Sequence, residues 1–159
     1  MLLASILLAA AALGQAPAVA GLELADQYGV TDSLDAHRDH VVVVMVVTAK
    51  RLRNLKGWEK ELRARYDDLH YLRIADVPGE PPVTHEQVAR KLAKRVPEDV
   101  PILIDIDRRW AEELQLDTGR PNLLLIDRDG RLIANFRGRM DPPLLEEVLA
   151  ALGPFVEPR

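Results

Sequence analysis

Four cationic side chains fall within seven residues just after a run of β-branched residues, at Lys50, Arg51, Arg53 and Lys56. The pattern predicts that they open a helix, where each positive side chain opposes the helix dipole by about 0.3 to 1 kcal/mol. The first N–H groups of a helix favour phosphate, sulfate or carboxylate, and an Arg guanidinium adds bidentate hydrogen bonds. Two interpretations follow, a binding site for a small anion and a basic surface that only faces water.

Two further groupings contain side chains that bind metals or transfer protons in other proteins. His37 and His40 form an HxxH pattern, but the segment is predicted to be a turn in which both histidines are solvated. Asp105 and Asp107 follow a predicted strand, and we interpret Asp107 as a helix cap and Asp105 as a turn residue. Neither grouping predicts a metal site or a catalytic residue. No phosphate loop, dinucleotide-binding fingerprint or haem motif is found, so no cofactor is expected.

The chain contains no cysteine among its 159 residues. This excludes disulfides, zinc–thiolate sites, a thiol nucleophile and the lipid-bearing cysteine of a bacterial lipoprotein. The formal charge of −4 and the pI near 5.6 provide no global attraction to nucleic acid or to an anionic membrane. Apolar residues make up 48% of the chain and charged residues 29%, a balance that is typical of a folded domain.

Residues 1–20 have the pattern of a signal peptide, which predicts export to the periplasm or the extracellular space. An apolar run at residues 2–13 precedes the small residues Ala18 and Ala20, and cleavage is predicted after Ala20. The run is too short to span a hydrocarbon core about 30 Å thick, so no stable membrane anchor is expected. Residues 21–159 are then expected to form one domain. The alternative is an apolar N-terminal helix that packs on this domain.

Hydrophobic periodicity and turn residues predict alternating strands and helices. The predicted strands cover residues 41–47, 69–75, 102–104, 122–126 and 131–136, and the predicted helices cover residues 54–66, 84–96, 110–114 and 142–152. The β-branched run at 41–47 is typical of a central strand buried on both faces, and Trp58 and Trp110 are predicted core residues. Parallel crossovers followed by a hairpin predict an α/β fold of three layers, with a mixed central sheet, a closing β-hairpin and a C-terminal helix.

Most of the chain, about residues 22–152, resembles the redoxin branch of the thioredoxin-like proteins. That branch includes peroxiredoxins of the alkyl hydroperoxide reductase type and periplasmic thiol–disulfide oxidoreductases. The resemblance is carried by residues 24–29, 33–34, 41–47, 100–105, 110–116 and 119–133. The later stretches are similar to the family's inserted strand and helix, to a strand opened by a cis-proline, and to a hairpin ending in Asp-x-x-Gly. The resemblance implies a thioredoxin-like fold.

The resemblance also implies where an active site would lie. Active members of the family have a cysteine or a CxxC pair just after the central strand, where this chain has Lys50 and Arg53 in a thioredoxin alignment or Arg51 in a peroxiredoxin alignment. Pro121 would be the cis-proline, the alternative being an ordinary trans proline at the start of a strand. Arg120 would then lie beside the start of the helix. The resemblance thus implies an anion pocket formed by Lys50, Arg51, Arg53 and Arg120.

Two functional hypotheses remain after thiol–disulfide exchange and thiol peroxidase activity are excluded. The first is a pseudoenzyme, a non-catalytic binding or interaction module of the cell envelope whose partner is a protein or a small anion. The second is an oxidoreductase of the redoxin class whose chemistry does not use its own thiols. The first is favoured because no cofactor motif is found.

Overall fold

A computed structural model describes residues 13–79 and 82–159, so most of the predicted signal peptide lies outside the described residues. In chain order, the elements are β1 (Leu24–Ala25), β2 (Thr31–Asp32), a first 3₁₀ helix (Leu34–His37), β3 (Val41–Thr48), a second 3₁₀ helix (Ala49–Leu55), α1 (Lys56–Arg63), β4 (Leu69–Asp76), α2 (His85–Ala93), β5 (Leu103–Asp105), α3 (Arg109–Glu113), β6 (Asn122–Ile126), β7 (Leu132–Arg137) and α4 (Pro142–Leu152).

Five strands form one mixed sheet in the order β5-β4-β3-β6-β7, while β1 and β2 form a separate short hairpin. β3 runs parallel to β4 and antiparallel to β6, and β7 closes the sheet as a hairpin with β6. Val43 and Met45 face a core with Trp58, whereas Val42 faces a second core with Trp110. Both faces of β3 are therefore buried, which explains its continuous apolar sequence. The predicted three-layer α/β fold with a mixed sheet, hairpin and C-terminal helix is confirmed.

Capping residues fix the starts of two helices where the sequence predicts them. The Thr84 hydroxyl accepts a hydrogen bond from the N–H of Gln87, and the Gln87 side chain accepts one from the N–H of Thr84, so a capping box opens α2. The Asp141 carboxylate likewise accepts from the N–H of Leu144 at 2.9 Å and opens α4. α2 ends at Ala93, three residues before its predicted end.

Two local predictions are wrong. The helix predicted from residue 54 begins earlier, as the second 3₁₀ helix, and becomes α-helical only at Lys56. The cap of α3 is Asp105 instead of Asp107, because the carboxylate of Asp105 accepts hydrogen bonds from the N–H groups of Arg109 and Trp110 at 2.9 and 2.8 Å. Arg108 makes this possible, since its left-handed backbone (φ 58°) turns the chain sharply between the strand and the helix.

The end of the predicted signal peptide packs against the sheet domain. The N–H of Gly14 donates to the carbonyl of Leu132 at 2.8 Å, and the N–H of Leu132 donates to the carbonyl of Gln15 at 2.9 Å. Val19 is 1% exposed and belongs to the core beside β3. Cleavage after Ala20 stays a prediction, and it would remove Val19 from this core. Within the described part of the chain, no helix is long and apolar enough to cross a membrane.

Candidate functional site

The carboxyl end of β3 is the place where the sequence predicts a site. The second 3₁₀ helix, Ala49–Leu55, follows directly, and the N–H of Thr48 donates to the carbonyl of Thr118 at 3.0 Å. The side-chain amide of Asn122 donates to two carbonyl groups of the same loop at 2.9 and 3.0 Å. Pro121 directly precedes β6, whose first residue pairs with Val46 near the carboxyl end of β3. The cis form of the Pro121 peptide bond stays a prediction.

The basic segment, defined here as Lys50, Arg51, Arg53 and Lys56, faces solvent. All four side chains are exposed, and none forms an ion pair among the described residues. Arg53 and Lys56 line a cavity, whereas Lys50, Arg51 and Arg120 lie outside its lining. The structure thus brings part of the predicted anion site to a cavity that the sequence did not predict.

This cavity has a volume of about 190 Å³ and lies between the second 3₁₀ helix, α1 and α2. Its apolar lining comes from Leu52, Leu55, Leu92, Val96, Pro97, Val100 and Ile102. Its charged lining comes from Arg53, Lys56, Glu59, Arg73 and Arg95. Among the described residues, four cations and one carboxylate line the cavity, and their formal charge of +3 favours an anionic ligand.

The single carboxylate of the cavity, Glu59, is neutralised within the protein. The buried guanidinium of Arg73 on β4 donates to both carboxylate oxygens of Glu59, and Arg63 donates to the same carboxylate at 2.8 Å. Burial would raise the pKa of Glu59, but the hydrogen bonds and charges of Arg73 and Arg63 outweigh burial and lower the pKa below its ordinary value. The other three cations of the cavity have no acidic partner in residues 13–79 and 82–159.

A buried polar cluster lies at the same end of the sheet and was missed by sequence reasoning. Asp76 ends β4, is fully buried, and accepts hydrogen bonds from the Thr118 hydroxyl and from Arg108 Nε at 3.1 Å. Asp105 pairs with Asp76 in the sheet register, and burial raises its pKa even though the N–H groups at the start of α3 oppose this shift. The hydrogen bond from Thr118 to Asp76 anchors the loop of Thr118. Asp76 and Asp105 are 0% exposed, so neither carboxylate is accessible to a substrate in this structure.

Three of the four histidines meet at the opposite end of the sheet. His37 Nδ1 lies 3.0 Å from His70 Nδ1, and His37 Nε2 lies 2.8 Å from the carboxylate of Asp32. His40 stacks on His70 with ring centroids 3.7 Å apart. The prediction that His37 and His40 are merely solvated in a turn is therefore wrong. Among the described residues, no three His, Asp or Glu side chains are arranged to hold a metal ion.

The histidine cluster is expected to make the fold less stable in mild acid. Burial lowers the pKa of His70, the neighbouring His40 and His37 lower it further, and nearby carboxylates oppose them. The folded state therefore binds fewer protons than the unfolded state. The stability that neutral His70 contributes is complete above the ordinary value of 6.5 and is lost as the pH falls through the lower pKa of the folded state.

Urea unfolding at pH 7.5 and pH 5.0 measures this effect. We expect a smaller loss of stability between the two pH values for His70→Gln than for the natural chain. The matched control is His85→Gln, since His85 lies outside the cluster and contacts the carbonyl of Ala25. An equal loss for the natural chain and His70→Gln would contradict the prediction.

Comparisons with known proteins agree on the fold. No family model and no curated protein sequence matches this chain. Among solved structures, it is similar to the exposed lipoprotein thioredoxin Etrx1 of Streptococcus pneumoniae, with 18% identity, a TM-score of 0.61, and coverage of 80% of this chain and 96% of that one. It is also similar to the peroxidoxin BcpB of Mycobacterium tuberculosis, with 19% identity, a TM-score of 0.56, and coverage of 89% and 96%.

A third similar structure is peroxiredoxin Q of Xanthomonas campestris, with 16% identity, a TM-score of 0.59, and coverage of 90% of this chain and 97% of that one. Likenesses at this level of identity concern the backbone and do not transfer an activity. The chain therefore has the thioredoxin-like fold of these redoxins and contains none of the cysteines on which thiol chemistry depends.

Proposed function

We propose that this chain is a pseudoenzyme, a non-catalytic binding module of the cell envelope. One observation carries the proposal: the chain has no cysteine. Where the resemblance implies the family's cysteines, the chain has Lys50 and Arg53 in a thioredoxin alignment or Arg51 in a peroxiredoxin alignment. A guanidinium or an ammonium group can neither attack a disulfide nor reduce a peroxide, because the thiolate is the nucleophile in both reactions. Envelope location is supported by the predicted signal peptide and by the likeness to Etrx1, which is described as an exposed lipoprotein.

The proposed site for a small anion consists of the basic segment together with Arg120. Support comes from the exposed cations, which form no ion pair within the described parts of the chain, and from the hydrogen bond that holds the loop of Thr118 against Thr48. An exposed ion pair contributes about 0 to 1 kcal/mol, so several cations must act together to reach millimolar affinity, which corresponds to about −4.1 kcal/mol. Binding is expected to weaken with salt, since charges are screened over about 8 to 10 Å at physiological ionic strength.

Activity assays test the non-catalytic part of the proposal. The purified protein is expected to show no reduction of insulin disulfides and no thiol-dependent consumption of peroxide above the buffer rate. Turnover in either assay by a contaminant-free sample would overturn the proposal. Cell fractionation tests the location, and recovery of the protein only from the cytoplasm would contradict an envelope role.

Thermal unfolding with sulfate or phosphate tests the anion site. The double variant Arg53→Ala/Arg120→Ala is expected to lose the salt-dependent stabilisation by these anions, with an unliganded Tm equal to or slightly above that of the natural chain. The matched control, Arg38→Ala/Arg131→Ala, removes the same charge from the opposite end of the sheet and is expected to respond as the natural chain does. If sulfate or phosphate stabilises Arg53→Ala/Arg120→Ala as much as the natural chain, the anion site is refuted and these cations only face water.

A further inference from the structure

The cavity beside the basic segment has an apolar floor. Leu55 of the second 3₁₀ helix, Leu92 of α2 and Ile102 just before β5 line the cavity and are at most 3% exposed. The volume of about 190 Å³ exceeds that of an engineered apolar cavity of roughly 150 Å³ that holds benzene in another protein. A ring or chain of about six to eight carbon atoms therefore matches this volume.

The rim of the same cavity is cationic. Arg53, Lys56 and Arg95 line it with exposed side chains and have no acidic partner among the described residues. Arg73 is 7% exposed and already bonded to Glu59, so it stabilises the wall and does not need a ligand. Charge complementarity thus requires a negative group near the opening and an apolar group farther in.

An apolar floor beneath a cationic rim favours an organic anion over an inorganic one. Inorganic phosphate or sulfate would meet the rim but gains nothing from apolar walls, which cannot replace the hydrogen bonds that the anion has with water. A carboxylate on a hydrocarbon chain or ring places its charge at the guanidinium groups and buries its apolar part. Its affinity should rise roughly fourfold for each methylene group that the cavity buries.

We infer that the cavity binds a small organic carboxylate, with its apolar body against Leu55, Leu92 and Ile102 and its carboxylate at Arg53, Lys56 and Arg95. This inference deepens the proposed function by naming the ligand class, and it rests on that function because Arg53 and Lys56 belong to both sites. Arg95 belongs to the cavity alone, and Arg120 belongs to the proposed anion site alone. Variants of these two arginines therefore separate the two sites.

Titration calorimetry of the full chain with acetate, butanoate, hexanoate and octanoate tests the ligand class. The dissociation constant is expected to fall about fourfold per methylene from butanoate to hexanoate and then to level off as the cavity is filled. Hexanol, which has the same chain without the charge, is expected to bind at least tenfold more weakly than hexanoate. Equal binding of acetate and hexanoate, or of hexanol and hexanoate, would overturn the inference.

Variants locate the binding. Arg95→Ala changes an exposed side chain and is expected to weaken hexanoate at least fivefold, whereas Arg120→Ala is expected to leave hexanoate binding unchanged. Val96→Trp fills the opening of the cavity and is expected to abolish hexanoate binding without lowering the Tm, and an unaffected affinity in either cavity variant would refute the site. If the natural chain binds hexanoate but is not stabilised by sulfate, only the proposed anion site is refuted. Thiol turnover would refute only the non-catalytic function.

Discussion

Replacing Lys50 and Arg53 together by cysteine is expected to create a reversible disulfide and an insulin reductase activity measurably above that of the natural chain. The second 3₁₀ helix, Ala49–Leu55, has about three residues per turn and rises about 2.0 Å per residue, so these two positions face the same side with Cα atoms about 6 Å apart. A disulfide accepts Cα separations of about 4.4 to 6.8 Å. The free N–H groups at a helix start also favour the reactive thiolate.

A double variant with the same two new thiols in a different geometry serves as the control. In Arg51→Cys/Arg53→Cys, the cysteines lie two residues apart and point to different sides of the 3₁₀ helix, so no bond between them is expected. Mass spectrometry after mild oxidation and the insulin assay measure the difference. Free thiols in oxidised Lys50→Cys/Arg53→Cys, at an unchanged Tm, would show that this segment does not keep the geometry of a redoxin active site.

The fold was predictable because its signals are local. The β-branched run at 41–47 has apolar side chains on both faces of the strand, and both faces are buried only at the centre of the sheet. Thr84 and Gln87 lie three residues apart, so their capping box is readable from the sequence alone. Gly130, at φ 79°, supplies the left-handed conformation that the turn between β6 and β7 requires.

The buried polar contacts were not predictable because their partners are distant in sequence. Thr118 is 42 residues from Asp76, and His70 is 33 residues from His37, so no local pattern joins either pair. The cap of α3 was misassigned for a related reason. Only the left-handed backbone of Arg108 lets Asp105 reach the helix, and such a conformation is uncommon outside glycine, asparagine and aspartate.

The candidate site was predictable only in part. Charge pattern and resemblance predict Arg53 as a ligand for an anion, and Lys56 belongs to the same basic run. The cavity that these two side chains line is completed by Arg73 from β4 and by Arg95, which lies two residues after the end of α2. Which side chains from different elements share a cavity depends on how the helices pack on the sheet, and hydrophobic periodicity carries no such information.

The largest effect on stability is expected from Arg108→Ala, which leaves the carboxylate of Asp76 buried without its guanidinium partner. Arg108 Nε donates to Asp76 at 3.1 Å, and the interaction with Asp76 raises the pKa of Arg108 above its ordinary value. Removing one partner of a buried ion pair costs about 3 to 5 kcal/mol of stability. We expect about 3 kcal/mol at pH 7, the lower end of that range, since the Arg108 side chain is 38% exposed and water reaches the site.

Two further variants separate charge from backbone in this prediction. Arg108→Gly also removes the guanidinium but relieves the left-handed strain (φ 58°), so it is expected to be about 1 kcal/mol more stable than Arg108→Ala. The double variant Asp76→Asn/Arg108→Ala removes both charges. Because the Asn side chain still accepts a hydrogen bond from Thr118, the double variant is expected to be about 1 to 2 kcal/mol more stable than the sum of the single changes implies.

Urea unfolding at pH 7, with equal m-values required for all variants, measures these differences. Additive effects of Asp76→Asn and Arg108→Ala would show that the two side chains do not depend on each other and would contradict the prediction. Asp76 also holds Thr118, and the loop of Thr118 carries Arg120 of the proposed anion site. A change at Arg108 is therefore expected to affect that site. Arg108→Ala is therefore expected to weaken the sulfate response along with stability, while hexanoate binding at the cavity, which Arg108 does not line, is expected to persist.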